Sequence, residues 1–296
     1  MIDKPTILIT SLGRTGTQFL AKLFADILPG STSLHEPDIF QGTAPDRWAQ
    51  YLEQVRRAGA FRMVFQKALG TWTLVRLSDQ RFSGRLGPQP AARSLDAQRR
   101  AFIEEMPGSV YVEANVGYYG LLDITPQVFR EHRLAYLVRD GRDWIRSHMN
   151  WGELYGKKGI RKLVSHKWPG ARDVVDDPYA ERWQQFSRFE RLCWAWTRLN
   201  EYALATATAN SHARVFQFEQ LFSSETKYEA LDELVQHLTS LPGVDRRSLR
   251  ATRGWLERPS HRSVDDFPSW RYWNTGQKRH FDGLCAPLMD KLGYTL

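Results

Sequence analysis

The chain has 296 residues, of which 42% are hydrophobic, 12% aromatic and 25% charged, proportions that exclude a fibre, a coiled coil or a largely disordered chain. The length suits one large α/β domain over residues 1–296. Lys plus Arg number 41 against 33 Asp plus Glu, and 31 of the 41 are Arg, a bias toward bidentate contact with phosphate, sulfate or carboxylate.

The β-branched run TILIT at 6–10 reads as a buried strand of a parallel sheet. A glycine-containing loop follows, and from Thr15 the apolar positions Phe19, Leu20, Leu23, Phe24, Ile27 and Leu28 recur with the spacing of an amphipathic helix that Pro29-Gly30 ends. Further strands are expected at 62–66, 110–113, 134–139 and 214–218, separated by helix-compatible stretches. The residues at 152–178 crowd Gly, Pro, His and basic side chains and read as a long basic, lid-like loop. The residues at 180–209 lack Pro and Gly, predicting one or two long helices that turn Trp183, Phe186, Phe189, Leu192, Trp196 and Leu199 inward. This alternation predicts a three-layer α/β fold with a central, mostly parallel sheet flanked by helices.

No apolar run approaches the ~20 residues of a membrane span, and residues 7–9 are too short a run for a signal peptide. Only Cys193 and Cys285 occur, and no Asn-X-Ser/Thr sequon. A soluble, cytoplasmic protein is expected. The basic residues are spread along the chain with no helix-turn-helix, zinc-finger or RNA-binding signature, so no nucleic-acid partner is expected. The eight His form no His-X3-His pair and the Cys no Cys-X2-Cys pair, so no metal is expected.

Two segments carry chemistry. The first is Ser11-Leu12-Gly13-Arg14-Thr15-Gly16-Thr17-Gln18-Phe19-Leu20, a glycine loop entering a helix, whose free N–H groups and dipole suit a phosphate-like anion. It lacks the Gly-Lys-Ser/Thr ending that supplies an ATP or GTP enzyme with its phosphate lysine and magnesium hydroxyl. The second is an apolar strand from Leu134 delivering Arg139, then Asp140-Gly141-Arg142-Asp143 and a helix with Ser147 eight residues after Arg139. Two helical turns can bring Arg139 and Ser147 to one small anion.

Together these segments resemble the 5′-phosphosulfate loop and the 3′-phosphate site of sulfotransferases that use 3′-phosphoadenosine 5′-phosphosulfate (PAPS). The likeness is to bacterial and Golgi-type members, in which Arg often replaces the loop Lys. Lesser matches are His35-Glu36-Pro37, Glu113-Ala114-Asn115, Phe218-Glu219-Gln220-Leu221, Trp270-Arg271 and Leu292-Gly293-Tyr294, so the resemblance covers nearly the whole chain. It implies a P-loop-type fold and a metal-free transfer of a sulfuryl group from PAPS to an acceptor hydroxyl, leaving adenosine 3′,5′-bisphosphate. It assigns the nucleotide to Arg14, Thr15, Gly16, Thr17, Gln18, Arg139, Ser147 and Arg271, with Gln18 standing where relatives keep a hydroxyl.

Arg14, the Gly16 and Thr17 amides and the helix dipole can supply positive charge at the bridging oxygen. Glu36 stands where relatives keep a catalytic glutamate, in a segment that Pro37 is expected to hold extended. His35 and Glu113 are the rival bases. Lys67 is a further candidate to assist the sulfuryl group, whereas Asp140 and Asp143 are expected to orient Arg139 and Arg142. The basic stretch 157–167 points to an anionic acceptor or a glycan bearing anionic groups, with Trp151, Tyr155 and Trp168 available to stack on a ring. Two other classes stay open: a P-loop nucleotide-dependent phosphotransferase and a non-catalytic polyanion-binding protein.

Overall fold

A computed structural model describes residues 1–37, 74–151, 154–156, 168–244, 253–257 and 266–294. Five parallel strands, β1 (Thr6–Ser11), β2 (Ser31–His35), β3 (Val110–Ala114), β4 (His132–Val138) and β5 (Ala213–Gln217), lie in the order β2-β3-β1-β4-β5. The longer helices are α1 (Thr17–Ile27), α2 (Leu74–Phe82), α3 (Pro88–Glu105), α4 (Gly141–Trp151), α5 (Arg188–Thr208), α6 (Lys227–Leu238) and α7 (Thr275–Lys291). Among the described residues no helix is long and apolar enough to cross a membrane.

Alternation along the buried strands builds one core on each face of the sheet. Ile7, Ile9, Val112, Ala135 and Leu137 meet Leu20, Phe24 and Ile27 of α1 and Leu231, Leu234 and Leu238 of α6. Leu8, Tyr111, Leu134, Tyr136 and Val138 face the opposite way, onto α2, α3, α4, α5 and α7. The three expected layers are therefore present.

Parallel pairing puts every strand's carboxyl end on one edge. β1 pairs with β3 in the register Leu8↔Glu113 and with β4 in the register Ser11↔Leu137. The chain leaves central β1 toward one side of the sheet, and β4 and β5 lie on the other. The loops after β1 and β4 therefore meet at a topological switch point, the place where open α/β sheets bind ligands.

The strand expected at 62–66 and Lys67 lie outside the described residues. The structure adds a strand next to β3 that was not expected, Ser31–His35, whose sequence STSLH has no apolar alternation to announce it. It forms as a half-buried edge strand because its backbone pairs with β3 and its hydroxyls are bonded, Ser31 to the Leu28 carbonyl at 2.8 Å and Ser33 to the Ala21 carbonyl at 2.7 Å.

The long helix expected within 180–209 begins at Arg188, where Ser187 and Glu190 form a capping box. Trp183 falls before it, in the short turn Trp183–Gln185, and packs there against the core. The described end of the 152–178 segment is built into the protein: Ala171 is buried, and buried Asp177 accepts from the Trp194 indole at 3.1 Å and from Arg198. The basic residues 157–167 lie outside the described residues.

At the amino edge of the sheet, His132 opens β4, with Nε2 3.0 Å from Thr125 Oγ1 and its ring centroid 4.6 Å from that of His212. Burial, reinforced by His212 and Arg133, pushes its pKa down to about 3. The unfolded chain, with an ordinary His near pH 6.5, binds a proton between these values and the folded chain does not. This contribution is complete above about pH 6.5 and is lost as the pH falls toward 3. Urea titrations from pH 7 to 4 should show stability falling, with His132 contributing up to ~1.4 kcal/mol per pH unit. His132→Gln should flatten that slope by about one proton, and an unchanged slope would show that His132 is not the group responsible.

Candidate active site

The loop between β1 and α1 is held in a conformation most residues avoid. Gly13, Arg14 and Gly16 all have positive φ, at 81°, 58° and 80°. Ser11 Oγ props the turn from within, accepting from the Gly13 amide at 2.9 Å and from the Thr15 hydroxyl at 2.5 Å. Thr15 thus turns its side chain inward and offers a ligand only its backbone. Gly16 caps α1 without a side chain, so no side-chain acceptor occupies the first amides of the helix. A Cβ at Gly16 would lie 2.9 Å from Phe222 Cζ, a second reason for glycine there. Thr17 Oγ1 lies 3.3 Å from His35 Nε2, and Gln18 sits half-buried on the first turn.

The segment after β4 reaches across to this loop. Arg139 Nη1 donates to the Arg14 carbonyl at 2.7 Å, and its guanidinium lies 4.4 Å from the centroid of the Phe218 ring. Arg14 Nε in turn donates to Ser147 Oγ at 2.9 Å. Arg14 thus stands between the two motifs, bonded through its carbonyl to Arg139 and through its side chain to Ser147. Trp144 Nε1 fixes the loop further by donating to the Gly13 carbonyl at 3.2 Å.

No carboxylate pairs with Arg14 among the described residues, and burial together with Arg139 pushes its guanidinium below its ordinary value. Burial does the same to Arg139, opposed by Asp143, Glu219 and Asp140, and its Nε is buried without a hydrogen-bond partner among the described residues. Both side chains stay charged, so the site holds two partly desolvated guanidiniums side by side.

The supports of Arg139 are contacts that the sequence does not reveal. Trp196 Nε1 donates to the Arg139 carbonyl at 3.0 Å. Glu219, at the short helix Phe218–Phe222, accepts from the Asp140 amide at 3.0 Å and from the Tyr294 hydroxyl at 2.8 Å. Burial raises the pKa of Glu219, opposed by those donors. Two lesser sequence matches, Phe218 to Leu221 and Leu292 to Tyr294, therefore touch each other under the site. Asp140 grips Arg142, whose guanidinium also lies 5.0 Å from the Trp270 ring, as expected of an orienting carboxylate.

Glu36 follows β2 on the same edge, 13% exposed, with its amide bonded to the Ala114 carbonyl at 2.9 Å. Its φ is +45°, so the expectation that Pro37 holds it extended is corrected: Glu36 is left-handed even though proline follows. His35 Nδ1 lies 3.9 Å from Glu36 Oε2, which joins both candidate bases through Thr17 to the α1 loop.

Glu113 does not belong with them. Fully buried, it receives both Arg99 Nε and Nη2, the Tyr111 and Tyr118 hydroxyls and the Asn115 amide, all within 2.8–3.2 Å. Its lone pairs are occupied, which makes it a strut under β3 rather than a proton acceptor for a substrate.

Arg271 is exposed, and no contact among the described residues joins it to Arg139 or Ser147. Its carbonyl accepts from Lys278 at 3.2 Å, and its neighbour Trp270 covers Arg142. Of the aromatics expected at the acceptor entrance, Tyr155 is spent internally, its hydroxyl bonded to the Pro169 carbonyl at 2.6 Å. Trp168 packs against the core, and Trp151 is exposed, 5.8 Å from Arg14. Among the described residues no group of three or more His, Cys, Asp or Glu is arranged to hold a metal.

No protein-family model and no curated protein matches the chain. Among solved structures it is similar to a sulfotransferase domain from the curacin biosynthetic pathway, at 15% identity over 100% of both chains with a TM-score of 0.46. It is also similar to a sulfotransferase from Alicyclobacillus acidocaldarius, at 14% identity over 99% of this chain and 97% of the other, TM-score 0.40. A third is a sulfotransferase from Mycobacterium tuberculosis, at 17% identity over 96% of this chain and 78% of the other, TM-score 0.43. The roles of individual residues rest on the geometry above.

Gly16→Ala should destabilise the protein by ~1–3 kcal/mol, because alanine must adopt φ near +80° and displace Phe222. Adding Phe222→Leu should recover only the steric share, and full recovery in urea unfolding would show that φ imposes no constraint.

Proposed function

We propose that the protein transfers a sulfuryl group from PAPS to an acceptor hydroxyl. The observation that carries this is the convergence of Arg14, Arg139 and Ser147 beside the uncapped start of α1, a preformed anion cradle with a spare buried donor on Arg139. Arg14 and the amides of Gly16, Thr17 and Gln18 would hold the 5′-phosphosulfate, and Arg139 with Ser147 the 3′-phosphate, with Arg271 on the rim. The cradle fits a nucleotide with two anionic ends, a 3′-phosphate and a 5′-phosphosulfate, because its cations are already desolvated and aligned.

Transfer forms a bond from acceptor oxygen to sulfur as the bond from sulfur to the bridging phosphate oxygen breaks. Arg14 and the α1 dipole meet the charge that develops on that oxygen. Glu36 takes the acceptor proton, with His35 linking it to Thr17. The leaving phosphate is already a good anion, so these residues suffice without a metal.

The phosphotransferase alternative is disfavoured. Its loop lysine is missing, and the Thr17 hydroxyl is turned toward His35. The acceptor is proposed to be anionic, or a glycan bearing anionic groups, drawn by the basic stretch 157–167 and received against Trp151. A cytoplasmic setting is part of the same proposal.

Adenosine 3′,5′-bisphosphate at 100 times its dissociation constant should stabilise the protein by ~2.7 kcal/mol, whereas ATP with magnesium should not. The reverse order would make the protein a phosphotransferase. Arg139→Ala should weaken bisphosphate binding by ~1.5–3 kcal/mol in calorimetry. With a PAPS-dependent acceptor found by mass spectrometry, Glu36→Gln should lower turnover ~100-fold at nearly constant nucleotide affinity. Normal turnover of Glu36→Gln beside an inactive His35→Ala would move the base to His35.

A further inference from the structure

His148 is the next residue along α4 after Ser147, and nothing in the chemistry above uses it. It is 2% exposed, and among the described residues neither ring nitrogen makes a hydrogen bond of good geometry, a weak one with the Leu12 backbone apart. An imidazole always carries at least one N–H, and its burial here is a poorly compensated desolvation. The ring lies between two indoles of its own helix face, 4.0 Å from Trp144 and 5.6 Å from Trp151 by centroids. Those indoles are themselves tied to the anion loop, Trp144 by its bond to the Gly13 carbonyl and Trp151 by its contact with the Arg14 guanidinium.

The charges facing His148 come from three elements and share one sign. Arg14 approaches from the loop after β1, Arg139 from the end of β4, and Arg188 from the start of α5. Arg188 also donates to the His148 backbone carbonyl at 2.6 Å. The carboxylates nearby, Asp140, Asp143 and Glu219, act on Arg139. Burial first, and then these three guanidiniums, hold the imidazole neutral by driving its pKa well below the ordinary value. An anion docking on Arg14 and Arg139 offsets their repulsion and so moves the imidazole toward the imidazolium, while burial, the larger cause, stays in place.

We propose that His148 is a proton-linked partner of the anion site, neutral in the free protein and protonated from solvent when an anion occupies the cradle of Arg14, Ser147 and Arg139. It would supply a third positive group, in contact with two tryptophans, that exists only in the liganded state. Anion affinity then falls as the pH rises through the liganded titration of His148, because the bound form holds the extra proton. The inference rests on the proposed function only in that the cradle takes an anion.

The test is titration calorimetry near pH 6 in buffers of different ionisation enthalpy. The probes are inorganic sulfate, which does not titrate in this range, and adenosine 3′,5′-bisphosphate. The wild-type chain should take up measurably more proton per ligand than His148→Phe, which keeps a ring between the two indoles but cannot titrate. The ligand's own ionisation cancels in that difference. His148→Gln, polar but not titratable, should behave as His148→Phe does and serves if the phenylalanine does not fold. His148→Phe should also raise the melting temperature of the ligand-free protein, since it removes two buried and poorly bonded polar atoms.

Equal proton uptake in wild type and variants would overturn the inference. Sulfate binding with the expected uptake, but no binding of the bisphosphate, would uphold it while overturning the nucleotide reading. Binding of neither anion would overturn both.

Discussion

The hydrogen bond from Arg139 to the carbonyl of Arg14 joins two residues of like charge and two separate stretches of chain. It holds Arg14 at a φ of 58°, where the residue would not stay by its own preference. It also depends on almost everything around it. Register between β1 and β4 places the two strand ends side by side. Trp196, Phe218, and the pairing of Glu219 with Tyr294 beneath Asp140 fix the β4 end, while Trp144 and Ser11 fix the loop. Removing any of these supports would let two buried guanidiniums separate toward water, the direction that burial and repulsion already favour.

This accounts for the form of the site. Cations assembled and desolvated before a ligand arrives need little rearrangement when negative charge develops, which is the condition for electrostatic stabilisation of a transition state. The cost falls on the free protein, in positive φ at Arg14 and Glu36, an orphaned Nε on Arg139 and a neutral imidazole at His148. These strained or unpaired groups collect at the carboxyl edge of the sheet. Glu113 meets the opposite condition within the same sheet: five hydrogen bonds saturate its carboxylate, which supports β3 and, through the Ala114 carbonyl, the backbone of Glu36.

Much of this architecture was legible from residue order. The TILIT run, the glycine loop and the helical periodicity after it describe β1, its loop and α1, because strand, turn and amphipathic helix are local patterns. The strand that leads into Arg139 and the helix that carries Ser147 were legible for the same reason. The strand Ser31–His35 was not, because its polar residues are stabilised by a neighbouring strand and by carbonyls of α1 rather than by their own pattern. The left-handed backbone of Glu36 ran against the local signal of Pro37, a case in which the tertiary frame overrode a nearest-neighbour preference.

The sequence by itself determined the layers, the glycine loop that opens α1 and the residue types that carry charge. Only the tertiary structure decided which of those charges act together. It showed that Arg14 rather than Arg139 holds Ser147, that Glu113 is occupied by Arg99, that Tyr155 is used internally, and that His148 lies poorly bonded among three arginines. The physical reason is that charge and hydrogen-bond partners are chosen through space at about 3–6 Å, and these hydrogen bonds join residues from 14 to 133 positions apart in the chain, which no periodicity relates.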